Sequence, residues 1–326
     1  MNKMTSKHPP VGELAGIISN FIRFKRSMGY IYQTEEGILQ RFSLFTMRYT
    51  INNNEISLQL IEAWLERRKD EKASNHKTRT LCVLQMLNFA AKHGYEVYFP
   101  VLIKKIKVPE YTPYIFTKAE LERFFNACDH IQPYPGTSRH HTIPVLFRLI
   151  FSCGLRASEA ANLKCSDVDL TAGVITVRNG KNGKERLIPL SDSMSRCMEQ
   201  FSHRYDNYKD KYFFKGKYKS KLQRHIIYKW FRICLENAGI PHLGKGQGPR
   251  EHDLRHSFCV HSLKKMQEKG VDLYASLPFL SVYVGHASIN ATQHYLRLTA
   301  EFYPDIIEQI NRQCSEIIPS VEVGKI

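Results

Sequence analysis

Long apolar runs and paired cysteines are both missing from this 326-residue sequence. No stretch of about 18 apolar residues occurs, which argues against a transmembrane helix. The first residues, MNKMTSKHPPVGELAG, contain no apolar run of the kind that a secretory signal needs. The eight cysteines form no C-x-x-C pair, so a zinc ribbon or a redox dithiol is not expected. Scattered thiols are typical of a reducing compartment, and we expect a cytoplasmic protein that does not interact with membranes.

Acidic residues are fewer than basic ones. The chain has 47 Lys+Arg against 31 Asp+Glu, a net charge of +16. The positive excess is spread over the first 110 residues and over the rest, and is not confined to one tail. Two basic regions favour a polyanionic partner, with nucleic acid as the first candidate. The alternative is a basic protein whose charge only limits aggregation.

Apolar periodicity predicts a small helical domain at the N-terminus. Apolar residues recur three and four positions apart in four segments before residue 99, which is typical of helices that bury one face. Prolines at 100, 109 and 113 then interrupt regular helix and predict a linker. We therefore expect a helical domain at 1–108, a linker at 109–116 and a second domain at 117–326.

The second domain is predicted to be mainly helical with a small β-sheet. Thr117 and Glu120 have the spacing of a capping box, which predicts a helix start. β-Branched residues before Asn179-Gly180 and the apolar run Leu187–Leu190 after it predict a β-hairpin. Most of the remaining sequence is predicted to be helical, with loops near 205–221 and 241–251.

The first unusual group of charged residues is Gly154-Leu155-Arg156-Ala157-Ser158-Glu159. Arg156 lies at a helix junction inside an apolar run, where an arginine is costly to bury unless it is paired or binds an anion. Glu159 can pair with it from the next turn. A purely structural Arg–Glu pair and an anion-binding arginine are both open at this point.

Two further segments contain imidazoles near a cation or a phenol. His252 and Arg255 share a helix face, and His256 stands four residues after His252. The H-E-x-x-H glutamate is missing and Arg255 would repel a metal, so no metal site is expected. His286 precedes a predicted helix on which Tyr295 lies nine residues later. A lone tyrosine of this kind can equally be core or surface filler.

Taken in order, these segments resemble the tyrosine recombinase family, which comprises phage integrases and Xer recombinases. The resemblance covers most of residues 117–300. It consists of G-L-R-x-S-E, a hairpin G-K-x-x-K-E-R-x-x-P-L, H-x-L-R-H, then G-H followed nine residues later by tyrosine. It implies a helical, SAM-like core-binding domain followed by an α+β catalytic domain with a small β-sheet.

The resemblance also implies roles for individual residues. Arg156 matches the first catalytic arginine and Lys181 matches the hairpin lysine. His252 and Arg255 match the histidine and the second arginine. His286 matches the position that is His or Trp in the family, and Tyr295 matches the nucleophile. Glu159 matches a supporting acidic residue. Arginines that bind the scissile phosphate stabilise its developing charge without a metal cofactor. Lys181 is the candidate general acid and His252 the candidate for proton exchange with Tyr295.

The implied reaction is DNA strand cleavage and rejoining through a 3′-phosphotyrosyl intermediate, which needs no ATP. The implied partners are double-stranded DNA with specific recombination sites and a homo-tetramer, or an assembly with sister recombinases. An amphipathic C-terminal segment is predicted to dock on a neighbouring protomer or to pack in cis. Six lysines, three between Pro100 and Pro109 and three in a lysine-rich loop, could contact phosphates or could be solvated: Lys104, Lys105, Lys107, Lys215, Lys217 and Lys219.

The biological role is open on sequence grounds. The segment between Arg255 and His286 is longer than in compact Xer-type members, which favours an integrase or transposase of a mobile element and leaves the local geometry open. The alternative is an Xer-type resolvase of chromosome or plasmid dimers. A type IB topoisomerase-like enzyme and a DNA-binding regulator without catalysis are further alternatives.

Overall fold

A computed structural model of the chain describes residues 9–101, 106–108, 111–178, 185–205, 211–216, 220–242, 244, 248–286 and 290–303. The chain divides into two compact units, Met1–Tyr111 and Thr112–Ile326. Among the described residues, no helix is both long and apolar enough to span a bilayer.

Unit 1 is a small helical domain. Its elements are α1 (Ala15–Ser27), α2 (Gln33–Thr46), β1 (Glu55–Ile56), α3 (Leu58–Leu65), α4 (Ala73–Ala91) and β2 (Glu96–Val97). The side chain of Ser57 accepts a hydrogen bond from the Leu60 N–H and caps α3. The core of the unit includes Ile18, Leu39 and Phe42, which are completely buried. The apolar spacing therefore predicted the helices of this unit, whereas the short strands β1 and β2 were not predicted.

Unit 2 is mainly helical and contains one three-stranded sheet within its described part. The helices before the sheet are α5 (Lys118–Asp129), α6 (Arg139–Ser152) and α7 (Ala157–Asn162). A short 3₁₀ turn (Cys165–Asp167) leads to β3 (Val168–Asp169), β4 (Val174–Val177) and β5 (Arg186–Pro189). The helices after the sheet are α8 (Asp192–Tyr205), α9 (Arg224–Asn237), α10 (Asp253–Glu268), α11 (Leu273–Val284) and α12 (Asn290–Phe302).

Local sequence signals explain the two best-predicted features of this unit. Thr117 accepts a hydrogen bond from the Glu120 N–H, and the Glu120 carboxylate accepts one from the Thr117 N–H, which is the predicted capping box. Strands β4 and β5 pair antiparallel with Ile175 opposite Ile188, as the predicted hairpin requires. Both isoleucines are completely buried, so the register points the apolar side of the hairpin into the core.

Helices α10, α11 and α12 share a hydrophobic cluster that positions the candidate site. Buried residues of α10, including Cys259, Val260 and Leu263, pack with Leu280 of α11 and with Tyr295 and Leu298 of α12. The segment before α5 is tied to the same helix α10, because Ser257 Oγ accepts a hydrogen bond from the Phe116 N–H at 2.9 Å. Helix α12 is thus held against α10 along the length that carries Tyr295.

Candidate active site

Arg156 lies at the junction between α6 and α7, as the sequence predicted. Its side chain donates from Nη1 to Glu159 Oε1 at 2.6 Å and from Nη2 to the Gly285 carbonyl at 3.0 Å. The Glu159 carboxylate also accepts the Arg156 backbone N–H at 2.9 Å. The Arg–Glu pair exists, but the guanidinium additionally reaches the turn after α11, 129 residues away.

Arg255 is completely buried on the first turn of α10. Its guanidinium donates to the Gly154 carbonyl at 2.7 Å and to the Val284 carbonyl at 2.5 Å. Its Nε–H has no hydrogen-bond partner among the described residues. Burial and the nearby Arg156 lower the pKa of Arg255 to about 10, so the side chain is still charged at neutral pH.

Glu159 connects these arginines to a third one. Arg186, at the start of β5, donates to both carboxylate oxygens of Glu159, at 3.1 and 2.8 Å, and Arg255 Nη1 lies 3.8 Å from Oε2. Burial acts to raise the pKa of Glu159, but the hydrogen bonds and charges of Arg186 and Arg156 hold it at about 2. The carboxylate is therefore ionised and compensates part of the clustered positive charge.

Two of the three carbonyls that hold the arginines belong to glycines. Gly154 and Gly285 both have left-handed backbone, with φ of 57° and 67°. A Cβ at Gly154 would lie 2.5 Å from the Phe258 ring, and one at Gly285 would lie 2.8 Å from Arg186 Nη1. Both positions therefore require glycine for conformation and for space.

Tyr295 lies on α12 with only 2% of its surface exposed. Its phenol ring is stacked on the His286 ring, with centroids 5.7 Å apart and planes 10° apart. Its Oη lies 2.7 Å from His256 Nδ1. The longer segment before His286 therefore leaves His286 in contact with Tyr295.

His252 and His286 are both held in the neutral form. Burial, followed by the charges of Arg255 and Arg156, lowers the pKa of His252 to about 4 and that of His286 to about 3. His286 Nδ1 lies 2.8 Å from the hydroxyl of Thr292, a buried residue of α12. If this hydroxyl donates to Nδ1, the Nε2–H of His286 is available as a donor.

A basic groove opens beside Arg156 and His252 within unit 2. Its volume is about 980 Å³. The other charged, polar and aromatic residues that line it are Ser158, Arg224, His225, Tyr228, Arg232, His242, Arg250 and Glu251. A cleft lined mostly by cations and imidazoles is suited to a polyanion.

Unit 1 has a basic groove of its own, with a volume of about 440 Å³. Four arginines and two aromatic rings line it: Arg41, Arg48, Arg67, Arg68, Phe45 and Trp64. Guanidinium groups beside aromatic side chains are suited to phosphate contacts. None of these four arginines was predicted from the sequence to contact DNA.

Five of the predicted lysines lie outside the described residues: Lys181, Lys104, Lys105, Lys217 and Lys219. The predicted C-terminal docking segment beyond Tyr303 lies outside them as well.

Two of the lysines predicted to contact DNA, Lys107 and Lys215, lie within the described residues. Lys107 is exposed. Lys215 Nζ donates to the Tyr205 carbonyl at 3.1 Å, so this lysine stabilises its own loop. In the same loop, Phe213 and Phe214 are buried core residues. Among the described residues, no group of three or more His, Cys, Asp or Glu side chains could hold a metal ion.

Arg186 and His256 are the two site residues without a predicted role. Arg186 belongs to the K-E-R element of the hairpin. Its place directly before the apolar residues of β5 is the sequence feature that could have marked it as a site residue. His256 follows Arg255 directly, and its spacing from His252 raised only the question of a metal site, which was not expected. The contacts of both depend on residues distant in sequence, Glu159 for Arg186 and Tyr295 for His256.

Residues 115–301, more than half of the chain, match the sequence model of the phage integrase family. The chain belongs to the phage integrase family. The matched range of this family member includes every residue that was predicted to be catalytic, Lys181 among them. The sequence-based recognition is thereby confirmed.

Relatives that match nearly the whole of this integrase-family chain, and relatives that match about two thirds of it, are both named recombinases. The integrase/recombinase y4rB of Sinorhizobium fredii is 27% identical over 306 residues, which is 91% of this chain and 96% of the relative. The tyrosine recombinase XerA of Pyrococcus furiosus is 29% identical over 211 residues, 64% of this chain and 66% of XerA. The chain is accordingly a tyrosine recombinase.

Solved structures extend the likeness to the fold. The XerH recombinase bound to its difH substrate has a TM-score of 0.63 at 20% identity, covering 86% of this chain and 81% of XerH. A λ integrase tetramer bound to a Holliday junction has a TM-score of 0.64 at 17% identity, covering 86% of this chain and 76% of the integrase. The predicted fold, which is mainly helical with two domains and a small β-sheet in the second domain, is confirmed.

Proposed function

We propose that this protein cuts and rejoins DNA at specific sites, with Tyr295 as the nucleophile and a 3′-phosphotyrosyl intermediate. The observation that carries the proposal is the clustering of Arg156 and Arg255 beside a carboxylate, with Tyr295 on the helix packed against α10. This arrangement suits an anion that a phenol oxygen attacks.

The arginines act on the charge that develops at phosphorus. Attack on a phosphodiester moves negative charge onto the non-bridging oxygens, and preorganised cations lower that barrier. The carbonyls of Gly154, Val284 and Gly285 fix both guanidinium groups before the substrate arrives. His286, neutral and oriented by Thr292, supplies a further donor from Nε2.

Proton transfer completes the step. The leaving 5′-oxygen departs poorly as an alkoxide, and Lys181 is our proposed general acid. The phosphotyrosyl bond retains the energy of the broken phosphodiester, so a 5′-hydroxyl can attack it to rejoin the strands without ATP. Attack by a hydroxyl from a second duplex yields recombination.

The test is trapping of the covalent intermediate. The wild-type chain is incubated with DNA fragments from its host genome, denatured in detergent, and the DNA that stays attached is sequenced to define the cleaved duplex. We expect Tyr295→Phe to abolish the adduct and to retain binding of that duplex in a gel-shift assay. Tyr303→Phe is the matched control, because its hydroxyl also contacts a histidine, His261 at 2.6 Å, but lies outside the site. An adduct formed by Tyr295→Phe at the wild-type rate contradicts the proposal.

The basic grooves and the net charge of +16 support duplex DNA as the substrate. The λ integrase tetramer on a Holliday junction supports an active assembly of four protomers, either identical or with sister recombinases. Relaxation of supercoiled plasmid without strand exchange between duplexes would instead indicate a topoisomerase-like activity.

Within this function we propose a mobile-element role, exercised in the cytoplasm. Similarity to the integrase/recombinase y4rB over nearly the whole of both chains supports it. An Xer-type dimer resolvase is the alternative, and the similarity to XerA supports that. The DNA recovered from the adduct decides between them, because element ends and a chromosomal dimer-resolution site are different sequences.

A further inference from the structure

The Tyr295 hydroxyl contacts an imidazole to which the resemblance assigns no role. His256 Nδ1 lies 2.7 Å from Tyr295 Oη, and the two ring centroids are 5.5 Å apart. His256 follows Arg255 on the first turns of α10, so the helix that buries the arginine also presents this ring to α12.

We propose that His256 takes the proton from Tyr295 during strand cleavage and returns it during rejoining. The inference rests on the proposed function, because it requires Tyr295 to be the nucleophile. In cleavage the Oη–P bond forms and the P–O5′ bond breaks. The phenol proton moves to the Nδ1 lone pair of His256, and the 5′-oxygen takes a proton from the general acid. Rejoining reverses each transfer, so the enzyme ends unchanged.

The geometry favours His256 over the two histidines named by the sequence. Direct proton transfer needs a short hydrogen bond between acceptor and donor. His286 lies parallel to the phenol ring, which it faces with its π surface, and its Nδ1 contacts Thr292. The ring of His252 packs edge-on against the ring of His256, with centroids 4.7 Å apart. His256 has a ring nitrogen directed at the phenol oxygen.

The surroundings of Tyr295 keep its hydroxyl protonated, so the reaction requires a group that accepts this proton. Burial, followed by the Cys259 thiol, raises the pKa of Tyr295, whereas Arg255 acts to lower it. The phenol therefore keeps its proton at neutral pH until a base removes it. Among the described residues, the titratable and charged groups near the His256–Tyr295 pair are His252, Arg255 and Cys259 from α10, His286 from the turn before α12 and Arg156 from the start of α7.

The experiment compares His256→Gln with the wild-type chain in single-turnover cleavage of the duplex recovered from the adduct, nicked beside the cleavage site. Glutamine can accept the phenol hydrogen bond but cannot take the proton. We expect a loss of about 100-fold or more at pH 7, and a rate that rises about tenfold per pH unit as hydroxide replaces the base.

The matched control is His261→Gln, on the same helix. His261 contacts Tyr303 and the Phe116 carbonyl, so its loss also breaks a histidine–tyrosine hydrogen bond. We expect this variant to cleave within about threefold of the wild-type rate, since it removes no acceptor for the nucleophile. Gel-shift binding and the melting temperature of each variant report whether it is folded.

A second probe separates the two proton transfers. Sulfur in place of the 5′ bridging oxygen leaves as a thiolate and needs no general acid. This substrate should restore cleavage by Lys181→Ala and leave His256→Gln defective. Rescue of His256→Gln by sulfur, a pH-independent loss, or a rate within threefold of wild type each overturns the inference. Absence of any wild-type adduct overturns the proposed function instead.

Discussion

Replacing Glu159 with glutamine removes a buried negative charge that three arginines share. The carboxylate accepts hydrogen bonds from Arg156 at 2.6 Å and from Arg186 at 2.8 and 3.1 Å, and Arg255 Nη1 lies 3.8 Å away. Glutamine keeps the size of the side chain but leaves the three guanidinium groups without a counter-charge. Removing one partner of a buried ionic group is strongly destabilising, because the remaining charges stay buried.

The pKa of Glu159 gives the size of the effect. Although burial favours the neutral acid, the arginines hold the pKa at about 2, against an ordinary value of 4.5. At about 1.4 kcal/mol per pKa unit, the fold favours the charged form by roughly 3 kcal/mol. Because the folded pKa is lowered, this stabilisation is fully present above about pH 4.5 and is lost as the pH falls towards 2.

Urea denaturation of the full chain between pH 7 and pH 3 measures this contribution. We expect Glu159→Gln to lower the free energy of unfolding by about 3 kcal/mol at pH 7, and by less as the pH approaches 3. Glu185→Gln is the matched control. Its carboxylate is 54% exposed and pairs with Arg178 at 3.3 Å, so its loss should change stability little. Equal stability of the two variants at pH 7 would refute the reasoning.

Two further outcomes are expected. In Gly285→Ala, the alanine must adopt a left-handed backbone (φ 67°) and its Cβ lies 2.8 Å from Arg186 Nη1. Gly270→Ala is the control, because Gly270 has φ 73° but open space around it. The melting temperature should therefore fall further in Gly285→Ala than in Gly270→Ala. Equal decreases would contradict the clash. The pKa of His286, lowered to about 3 by burial and by Arg255, keeps its ring neutral in the fold, so this residue should lower stability as the pH drops below about 6.5, by roughly 2 kcal/mol at pH 5. His286→Asn should reduce the slope of the urea-denaturation stability curve between pH 7 and 5 and leave the part due to His252, whose pKa is lowered to about 4. An unchanged slope would count against the shift.

Local patterns predicted much of the fold because the relevant interactions span few residues. The Thr117–Glu120 capping box joins positions three apart, and the β4–β5 hairpin follows from β-branched residues before Asn-Gly and an apolar run after it. Apolar residues at helical spacing likewise marked the helices of unit 1. For the candidate site, the order and spacing of the motifs identified the family and named Arg156, His252, Arg255, His286 and Tyr295 before any contact was known.

The contacts among those residues required the tertiary structure. Arg156 reaches Gly285 across 129 positions, Arg186 reaches Glu159 across 27, and His256 reaches Tyr295 across 39. None of these pairs has a local signature, because they depend on how the start of α7 meets the turn after α11, how β5 approaches α7 and how α10 packs against α12. The sequence by itself determined the helices, the hairpin and the chemical groups of the site. Only the packing decided that one carboxylate is shared by three arginines and that His256 contacts the Tyr295 hydroxyl, since side-chain distances across a core depend on the whole fold.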